Sequence, residues 1–443
     1  MAFHNKKFFL DIVLISFLVV VLLFLRGGHS KVTAGTNEIY EHIEIFTEVL
    51  RQVEKNYVEP QEARDLIYGA IKGMIQNLDP HSTFMTKEEH QELLMETKGS
   101  FSGVGIEITV RDKLLTVVSP IEGTPAFEAG IMPGDKIIKI DDKSSVEMSL
   151  PDAVKIIRGP KGTDVKLTVM REGEDKPLEF NITRAEIPLR SVKHYQLTPE
   201  IGYVRISSFQ ANTEKDLSTA LEEIETGRKL KGLILDLRSN PGGLLSQAIA
   251  VSEMFLDSGI IVSTKGRNSS QSMEATAHRN KVARDYPIVV LVNEGSASAA
   301  EIVAGGLQDN KRALILGTRT FGKGSVQTIL PLSDGSGLRL TTARYYTPSG
   351  RSIQLSGIEP DIELKFTPYE EKKDKEKPHA IREADLKGHM VNDALEGAPQ
   401  KEKEEGKEKD DDVKLLLQRD NQVRHAMQLL QTWNIFSKIR PGQ

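Results

Sequence analysis

The spacing of apolar and polar residues changes several times along this chain, and the first pattern is helical. Between residues 37 and 97, apolar side chains such as Ile39 and Ile43 recur every three to four positions, which predicts amphipathic helices. Pro60 separates two such stretches. We therefore expect residues 35–98 to form a small helical region that carries no chemistry of its own.

From Gly99 the pattern changes to short segments in which apolar and polar residues alternate, which predicts strands. Such segments occur at residues 114–118, 136–140 and 165–170, and a helix is predicted from Leu150 to Ile157. The turns of this region contain three short motifs, which are Pro125-Ala126, Ala129-Gly130-Ile131 and Pro133-Gly134-Asp135.

These motifs make residues 99–184 resemble a PDZ domain of the type found in bacterial proteases. The resemblance implies an open strand edge beside a helix, where an extended peptide can add as a further strand. It also implies that a terminal carboxylate binds the backbone N–H groups of one loop, which comprises Gly103, Val104, Gly105 and Ile106. The alternative is a structural domain of this shape that binds nothing.

A third pattern, strands alternating with helices, predicts an α/β domain over residues 185–366. The segment at its start, residues 184–199, looks like a linker or crossover. The strand-like and helical segments that follow are Gly202–Phe209, Lys231–Leu237, Leu244–Phe255, Ile288–Val292, Ser298–Leu307 and Ala313–Leu316.

The N-terminus carries Lys6 and Lys7 before an apolar run at residues 8–25. Such a run is at the short limit for a membrane span and is long for the apolar part of a signal peptide. We expect residues 1–34 to be a signal peptide or a membrane anchor. Because positive charge keeps the preceding end cytoplasmic, we expect the rest on the periplasmic side of the inner membrane, either anchored or soluble after cleavage.

The C-terminal part begins with residues 367–412, a predicted linker that ends in a nearly continuous run of charged residues. Residues 413–443 are predicted to form an amphipathic helix, and such a helix must bury its apolar stripe. The stripe packs either on its own subunit or on a second copy, which would give a homodimer or a higher oligomer. Its members are Val423, Met427, Leu430 and Trp433.

Composition narrows the classes of function. The net charge is −5, from 58 basic and 63 acidic residues, so no positive excess is available for a phosphate backbone and nucleic acid is not an expected partner. The chain has no cysteine, which removes disulfides, zinc–thiolate sites, iron–sulfur clusters and cysteine nucleophiles. No metal or other cofactor is expected.

The segment from Asn293 to Glu301 is the strongest candidate for chemistry. There a predicted buried strand runs into a turn of small residues, and a helix follows. At a helix N-terminus, unpaired N–H groups and the helix dipole favour developing negative charge. Ser296 and Ser298 both fit this place, either as a nucleophile or only as a helix cap. None of the ten histidines lies in a recognisable triad motif, so a different base is needed.

Lysine is the alternative base for a serine nucleophile. Lys323 lies between two glycines, which let the backbone approach a site closely. A lysine base must be neutral, and burial among apolar neighbours favours the neutral form. Gln327 lies four residues on, in a predicted strand whose alternation puts it on the same side as Lys323, where it can orient the amine.

An oxyanion site is the third requirement. Gly242 and Gly243 follow the strand that ends near Leu237, at the start of a helix. One of their N–H groups, together with that of Ala299, is predicted to hold the tetrahedral oxyanion. The alternative is that the two glycines form a simple loop.

Together these segments resemble the carboxyl-terminal processing peptidases, the tail-specific proteases of serine peptidase family S41. The resemblance covers about residues 37–366 and, more weakly, the C-terminal helix. It implies an α/β multidomain fold, in which a crotonase-like spiral protease core joins a PDZ domain and flanking helices. The segments that carry it are Leu235–Gly243, Gly295–Glu301 and Phe321–Gln327.

The resemblance also assigns roles to single residues. It implies that Ser298 is the nucleophile, Lys323 its general base and Gln327 the residue that positions the lysine. Asp309 matches an acidic position that is sometimes counted with the active site. Arg158 is expected to act as a polar latch when the PDZ domain gates the active site.

The expected partners are protein substrates with exposed, apolar C-termini, and a regulatory adaptor is a further expectation from the resemblance. Two other functions remain open. Gly317-x4-Gly322-Lys323 is similar to the phosphate loop of an ATPase but lacks the following hydroxyl residue. The second open function is that of an inactive relative that serves only as a PDZ adaptor. Such an adaptor would not need Ser298, Lys323 and Gln327 together.

Overall fold

A computed structural model describes residues 34–111, 113–146, 148–279, 282–367 and 407–439 of the chain. The predicted leader and most of the predicted charged linker lie outside these residues. The chain divides into two compact units, Met1–Phe84 and Met85–Gln443. The first unit contains helices α1 (Ala34–Asn56) and α2 (Ala63–Gln76), followed by the short strand β1 (Thr83–Met85) at the boundary. None of the helices that the structure describes is both long and apolar enough to span a membrane.

The second unit opens with helix α3 (Lys87–Lys98). Thr86 and Glu89 form a reciprocal cap at its start, with hydrogen bonds of 2.7 and 3.3 Å. Gly99, at φ +76°, ends the helix in a left-handed conformation. The chain then enters strand β2 (Ser100–Gly103), which leads into the region that resembles a PDZ domain.

The PDZ-like region is an antiparallel sheet with two helices, and its strand order is β3-β4-β5-β7-β8, with β6 beside β5. Strand β3 therefore lies at an edge. Alternate residues such as Leu115, Ile137 and Leu167 point into one buried core. The elements are β3 (Ile106–Arg111), β4 (Leu114–Pro120), α4 (Pro125–Glu128), β5 (Lys136–Ile140), β6 (Lys143–Ser144), α5 (Leu150–Ile157), β7 (Asp164–Met170) and β8 (Leu178–Thr183).

The segment 184–199, expected as a linker or crossover, consists mostly of two strands, so the linker alternative was wrong. It contains β9 (Ala185–Pro188) and β10 (Val192–Thr198). Strand β9 pairs with β2, so the strands that enter and leave the PDZ-like region bind each other. Charged residues interrupt the apolar pattern of this segment, so its strands are not evident from the sequence. The side chains that point inward include Ile187 and Leu197.

The α/β region is built on a six-stranded sheet in the order β10-β11-β12-β15-β16-β19. Only β10 runs antiparallel to its neighbour, β11. The central strands are buried on both faces, which explains their continuous apolar sequences. The elements are β11 (Ile201–Ile206), α6 (Thr213–Glu225), β12 (Gly232–Asp236), α7 (Leu245–Glu253), β15 (Ile288–Val292), α8 (Ala299–Asp309), β16 (Ala313–Gly317) and β19 (Ile362–Glu363).

A second, antiparallel sheet packs against the same core. It includes β13, which pairs with both β14 and β18, and β17, which pairs with β18. Its side chains join the helices and one face of the parallel sheet in a single apolar cluster. The strands are β13 (Ile260–Gly266), β14 (Met273–Thr276), β17 (Ser325–Pro331) and β18 (Gly337–Tyr346).

The C-terminal part forms two helices, α9 (Lys407–Arg419) and α10 (Asn421–Ile439). Helical structure thus begins inside the predicted charged linker rather than at residue 413. The apolar stripe of α10 packs on the parallel sheet of its own subunit, against Ile234, Leu291 and Leu316. The stripe residues buried there include Val423, Ala426 and Leu430, whereas Trp433 is 63% exposed.

Candidate active site

Three loops meet at one edge of the parallel sheet, because β12, β15 and β16 run in the same direction and end there. The loop after β12 carries the two glycines of the predicted oxyanion site. The loop after β15 carries the two candidate serines, and the loop after β16 carries Lys323. The predicted chemical groups are therefore brought to the same region by the sheet.

The structure distinguishes the two serines. Ser296 is fully buried, and its hydroxyl donates to the carbonyl oxygen of Leu237 at 2.8 Å, so it fastens the turn to the neighbouring loop. Ser298 is half-buried and lies directly before α8 with φ +54° and ψ −114°. A left-handed φ is strained for serine, and such strain concentrates at functional sites. Of the two serines, Ser298 is the one that keeps part of its surface exposed.

The glycine loop lies against Ser298. A Cβ atom on Gly242 would lie 2.8 Å from Cβ of Ser298 and 3.1 Å from the nitrogen of Ala299. The N–H of Gly242 already donates to Oδ1 of Asn240 at 2.8 Å. Among the described residues, the N–H groups of Gly243 and Ala299 have no acceptor, so these two are the donors left for an oxyanion.

Glu301 joins the serine turn to the lysine loop, and sequence reasoning missed it. Its carboxylate is fully buried. Oε2 accepts from the backbone N–H groups of Ser298 at 2.8 Å and Lys323 at 2.9 Å. Oε1 accepts from the N–H of Gly322 at 2.8 Å and from the hydroxyl of Thr320 at 2.6 Å. The backbones of the candidate nucleophile and base are thus held by one oxygen atom.

Burial raises the pKa of the Glu301 carboxyl, although its four hydrogen bonds act in the opposite direction. The signal for this residue was in the sequence, since a glutamate three residues after a serine at a helix start is typical of a capping box. In this chain the glutamate binds the N–H of Ser298 and also two amides of a different loop. A cap motif that also bridges loops cannot be seen from spacing alone.

Gln327 lies near the lysine loop, but strand alternation is not the reason. Lys323 precedes β17, and a register shift separates Val326 from Gln327, so the two-residue period does not run between them. The side chain of Gln327 donates through Nε2 to Ser325 and to the hydroxyl of Thr341. Its amide oxygen is the atom that can accept from a lysine amine.

Asp309 lies far from the other candidate residues, at the opposite end of α8 from Ser298. It is the last residue of α8, whereas Ser298 precedes the first, and a helix of eleven residues is about 16 Å long. One carboxylate oxygen accepts the N–H of Ser349 at 3.0 Å, and the other lies 3.9 Å from the guanidinium of Arg351. Asp309 holds the turn after β18 instead.

The predicted peptide site of the PDZ-like region lies along the edge strand β3, beside α5. Gly105 has φ +81°, and a Cβ there would lie 2.3 Å from Oγ1 of Thr124, so only glycine fits this close approach. The carbonyl oxygen of Val104 accepts the N–H of Ala126 at 2.9 Å. These contacts fix the loop from Gly103 to Ile106 at one end of the open strand edge.

Arg158 lies at the C-terminus of α5 and points toward the strand that enters the region. Its guanidinium stacks 4.8 Å above the ring of Phe101 in β2. Nη1 also lies 3.9 Å from a carboxylate oxygen of Glu92 in α3. The side chain therefore bridges the PDZ-like region and the elements that connect it to the α/β core.

The phosphate-loop interpretation fails on local structure. A phosphate-loop lysine opens a helix, whereas Lys323 is followed by strand β17, and position 324 is glycine. Within the residues that the structure describes, no group of three or more His, Asp or Glu side chains is placed to hold a metal ion.

Three family profiles match separate parts of the chain. The peptidase family S41 profile matches residues 200–364, a PDZ domain profile matches residues 116–171, and the profile named "Activating protease CtpB N-terminal domain" matches residues 27–89. The S41 match contains all three loops of the candidate site.

The chain is also similar to whole curated proteins. It is 46% identical over 366 residues to a carboxy-terminal-processing protease of Bartonella bacilliformis, which covers 82% of this chain and 84% of that protein. It is 38% identical over 369 residues to the carboxy-terminal processing protease CtpA of Bacillus subtilis, covering 82% and 78%. Among solved structures, a photosystem II D1 C-terminal processing protease is 34% identical, covers 72% of this chain and 92% of that one, and has a TM-score of 0.42.

Proposed function

This chain belongs to the carboxy-terminal processing proteases of peptidase family S41, and on that premise we propose that it is a serine endopeptidase with a Ser298–Lys323 dyad. We further propose that its PDZ domain recognises the C-terminus of a protein substrate and that cleavage occurs near that end. The observation that carries the dyad is the Glu301 carboxylate, which binds the backbone nitrogens of both residues.

In the proposed mechanism, the neutral amine of Lys323 takes the proton of the Ser298 hydroxyl as Oγ attacks the peptide carbonyl carbon. The developing oxyanion accepts hydrogen bonds from the N–H groups of Gly243 and Ala299. The lysine then gives its proton to the leaving amine, and an acyl-enzyme remains. Water, activated by the same lysine, releases the product, while Gln327 orients the amine.

Several wider features are part of the same proposal. The core adopts the crotonase-like spiral expected from the family resemblance. The substrate's terminal carboxylate binds the loop from Gly103 to Ile106, and its extended backbone adds to β3. The protein acts on the periplasmic side of the inner membrane on substrates with apolar C-termini, and a regulatory adaptor or a second copy of the chain binds it there.

The dyad is tested by hydrolysis of an unfolded protein that ends in apolar residues. We expect Ser298→Ala and Lys323→Ala to abolish cleavage while folding is retained, because each removes a reacting group. Gln327→Ala should keep a measurable fraction of the rate, since glutamine only orients the lysine. Lys229→Ala, which removes an exposed lysine of the same region, is the control and should cleave like the wild type.

Full activity of either dyad variant would contradict the assignment. C-terminal recognition is tested separately with the same substrate carrying an amidated C-terminus, which should be cleaved more slowly. If the wild-type protein binds the free C-terminus but cleaves nothing, the chain is an adaptor rather than a protease.

A further inference from the structure

A buried group of charges joins the start of the glycine loop to the C-terminal helices. Arg238 follows β12 and is only 7% exposed. Its guanidinium donates to Asp236 through Nε at 2.9 Å and Nη2 at 2.5 Å. Nη2 also lies 2.8 Å from Oδ2 of Asp420, and Nη1 donates to Oε1 of Gln422 at 2.7 Å. Arg238 thus binds the carboxylate of Asp236 at the end of β12 and two acceptors from the C-terminal segment.

Asp420, between α9 and α10, uses its two oxygens for different tasks. Oδ1 accepts the N–H groups of Gln422 and Val423, both at 3.0 Å, and so caps α10. Oδ2 pairs with Arg238, although Asp420 is only 8% exposed. Burying such a pair costs desolvation energy, and the apolar stripe of α10 already packs on the sheet through its own side chains. The pair therefore calls for a role beyond docking.

The loop that follows Arg238 is the wall of the oxyanion site. Ser239 has φ +54°, an unusual conformation for a residue other than glycine. The carbonyl oxygen of Asn240 accepts the N–H of Ala297 in the serine turn at 2.9 Å. Its side chain accepts the N–H of Gly242 at 2.8 Å. A shift at Arg238 would pass through this short, strained loop to the amides beside Ser298.

We propose that the C-terminal helices position the oxyanion loop: Asp420 and Gln422 hold the guanidinium of Arg238, and Arg238 holds the loop that carries Gly243. This inference rests on the proposed protease function. Asp420 touches no reacting atom and is a positioning residue. Its loss leaves substrate binding intact and weakens the hydrogen bonds to the oxyanion, which form only in the transition state.

Asp420→Asn in the full chain separates the two tasks, because asparagine caps a helix about as well as aspartate but offers no charge to Arg238. We expect kcat on a peptide substrate to fall about tenfold with KM within about twofold of wild type, the pattern of an interaction made only in the transition state. Asp412→Asn, which neutralises an exposed aspartate of α9, is the matched control and should change neither constant.

A peptide aldehyde supplies a readout that a purely structural role would not change, since it forms a tetrahedral adduct with a serine nucleophile. We expect its inhibition constant to rise about tenfold in Asp420→Asn, in parallel with the loss of kcat. Gln422→Met, which removes the other acceptor of Arg238 and keeps the Asp420 cap, should change kcat and the inhibition constant in the same direction. The Gln422→Met variant keeps the test valid if Asp420→Asn fails to fold.

Each outcome decides the question. Parallel changes in kcat and in aldehyde inhibition, with KM preserved, support the positioning role. Wild-type kcat in folded Asp420→Asn and Gln422→Met overturns it, and so does a loss of kcat without weaker aldehyde inhibition. If the wild-type chain shows no hydrolysis that depends on Ser298, the proposed function has failed, which is a different result from a variant that matches an active wild type.

Discussion

At the scale of single residues, Glu301 shows how one buried side chain can organise a site without reacting. Its four hydrogen bonds connect the serine turn with the lysine loop. Sequence patterns suggested Ser296 or Ser298, Lys323 and the glycine pair as candidates, because helix starts and glycine-rich turns have local signatures. Three of the four partners of Glu301 lie about twenty residues away in the lysine loop, and no local signature reports them.

Glu301→Gln should lower kcat by about two orders of magnitude, since small displacements of reacting groups have costs of this size. The amide nitrogen of glutamine would face backbone N–H groups that need an acceptor, so the lysine loop would shift. Peptide hydrolysis measures the effect. Glu294→Gln, in the same turn but exposed and bonded to the hydroxyl of Thr318, is the control and should remain active. A fully active Glu301→Gln variant would contradict the bridging role.

The same substitution changes how stability depends on pH. Burial raises the pKa of Glu301 above its ordinary value of 4.5. A carboxyl with a raised pKa in the folded state contributes stability below its unfolded pKa, and this contribution is lost as the pH rises through the folded value. The unfolding free energy of the wild type, relative to Glu301→Gln, should therefore fall as the pH rises from about 4.5, by at most about 1.4 kcal/mol per pH unit. Denaturant titrations at several pH values measure it, and a rising difference would have the wrong sign.

At the scale of elements, helix α10 was predictable in kind but not in place. Its apolar spacing indicated a stripe that must be buried. The spacing could not say which surface would cover it, because the positions of apolar residues within one helix carry no information about the surface that the helix contacts. In the structure the stripe packs on the subunit's own sheet, and Gly232 leaves room for Leu430, whose Cδ2 would lie 2.9 Å from a Cβ there.

Leu430→Ala should reduce the free energy of unfolding by about 2–5 kcal/mol, the usual cost of a large-to-small change in a core. Trp433→Ala is the control within the same helix, and because Trp433 is 63% exposed we expect a change of at most about 0.5 kcal/mol. Denaturant unfolding of the full chain measures both. Equal effects of the two substitutions would mean that α10 does not dock as described.

At the scale of the whole molecule, the PDZ domain is joined to the α/β core through two paired strands, β2 and β9. Arg158 adds contacts to Phe101 and Glu92 near this junction. The sequence indicated both regions and their order. It also suggested a linker or crossover at residues 184–199, where β9 and β10 form, because strand pairing across about 85 residues leaves no local pattern.

Arg158→Ala should weaken the coupling between the PDZ domain and the protease site. The ratio of kcat/KM for a substrate with a free, apolar C-terminus to that for its amidated form is expected to fall about fivefold or more, within the usual range of coupling between sites. Lys155→Ala, at an exposed position of the same helix, should leave the ratio unchanged. An unchanged ratio in Arg158→Ala would remove the proposed latch.

The sequence by itself determined the α/β and PDZ-like classes and suggested candidate residues for chemistry, because periodicity, turn residues and helix starts are properties of neighbouring positions. The tertiary structure decided which serine is available, which glycine N–H is left for an oxyanion, and that Asp309 lies at the far end of α8. It also decided that Arg238 binds the C-terminal segment. These outcomes depend on burial and on hydrogen bonds between distant segments, and both exist only after the chain has folded.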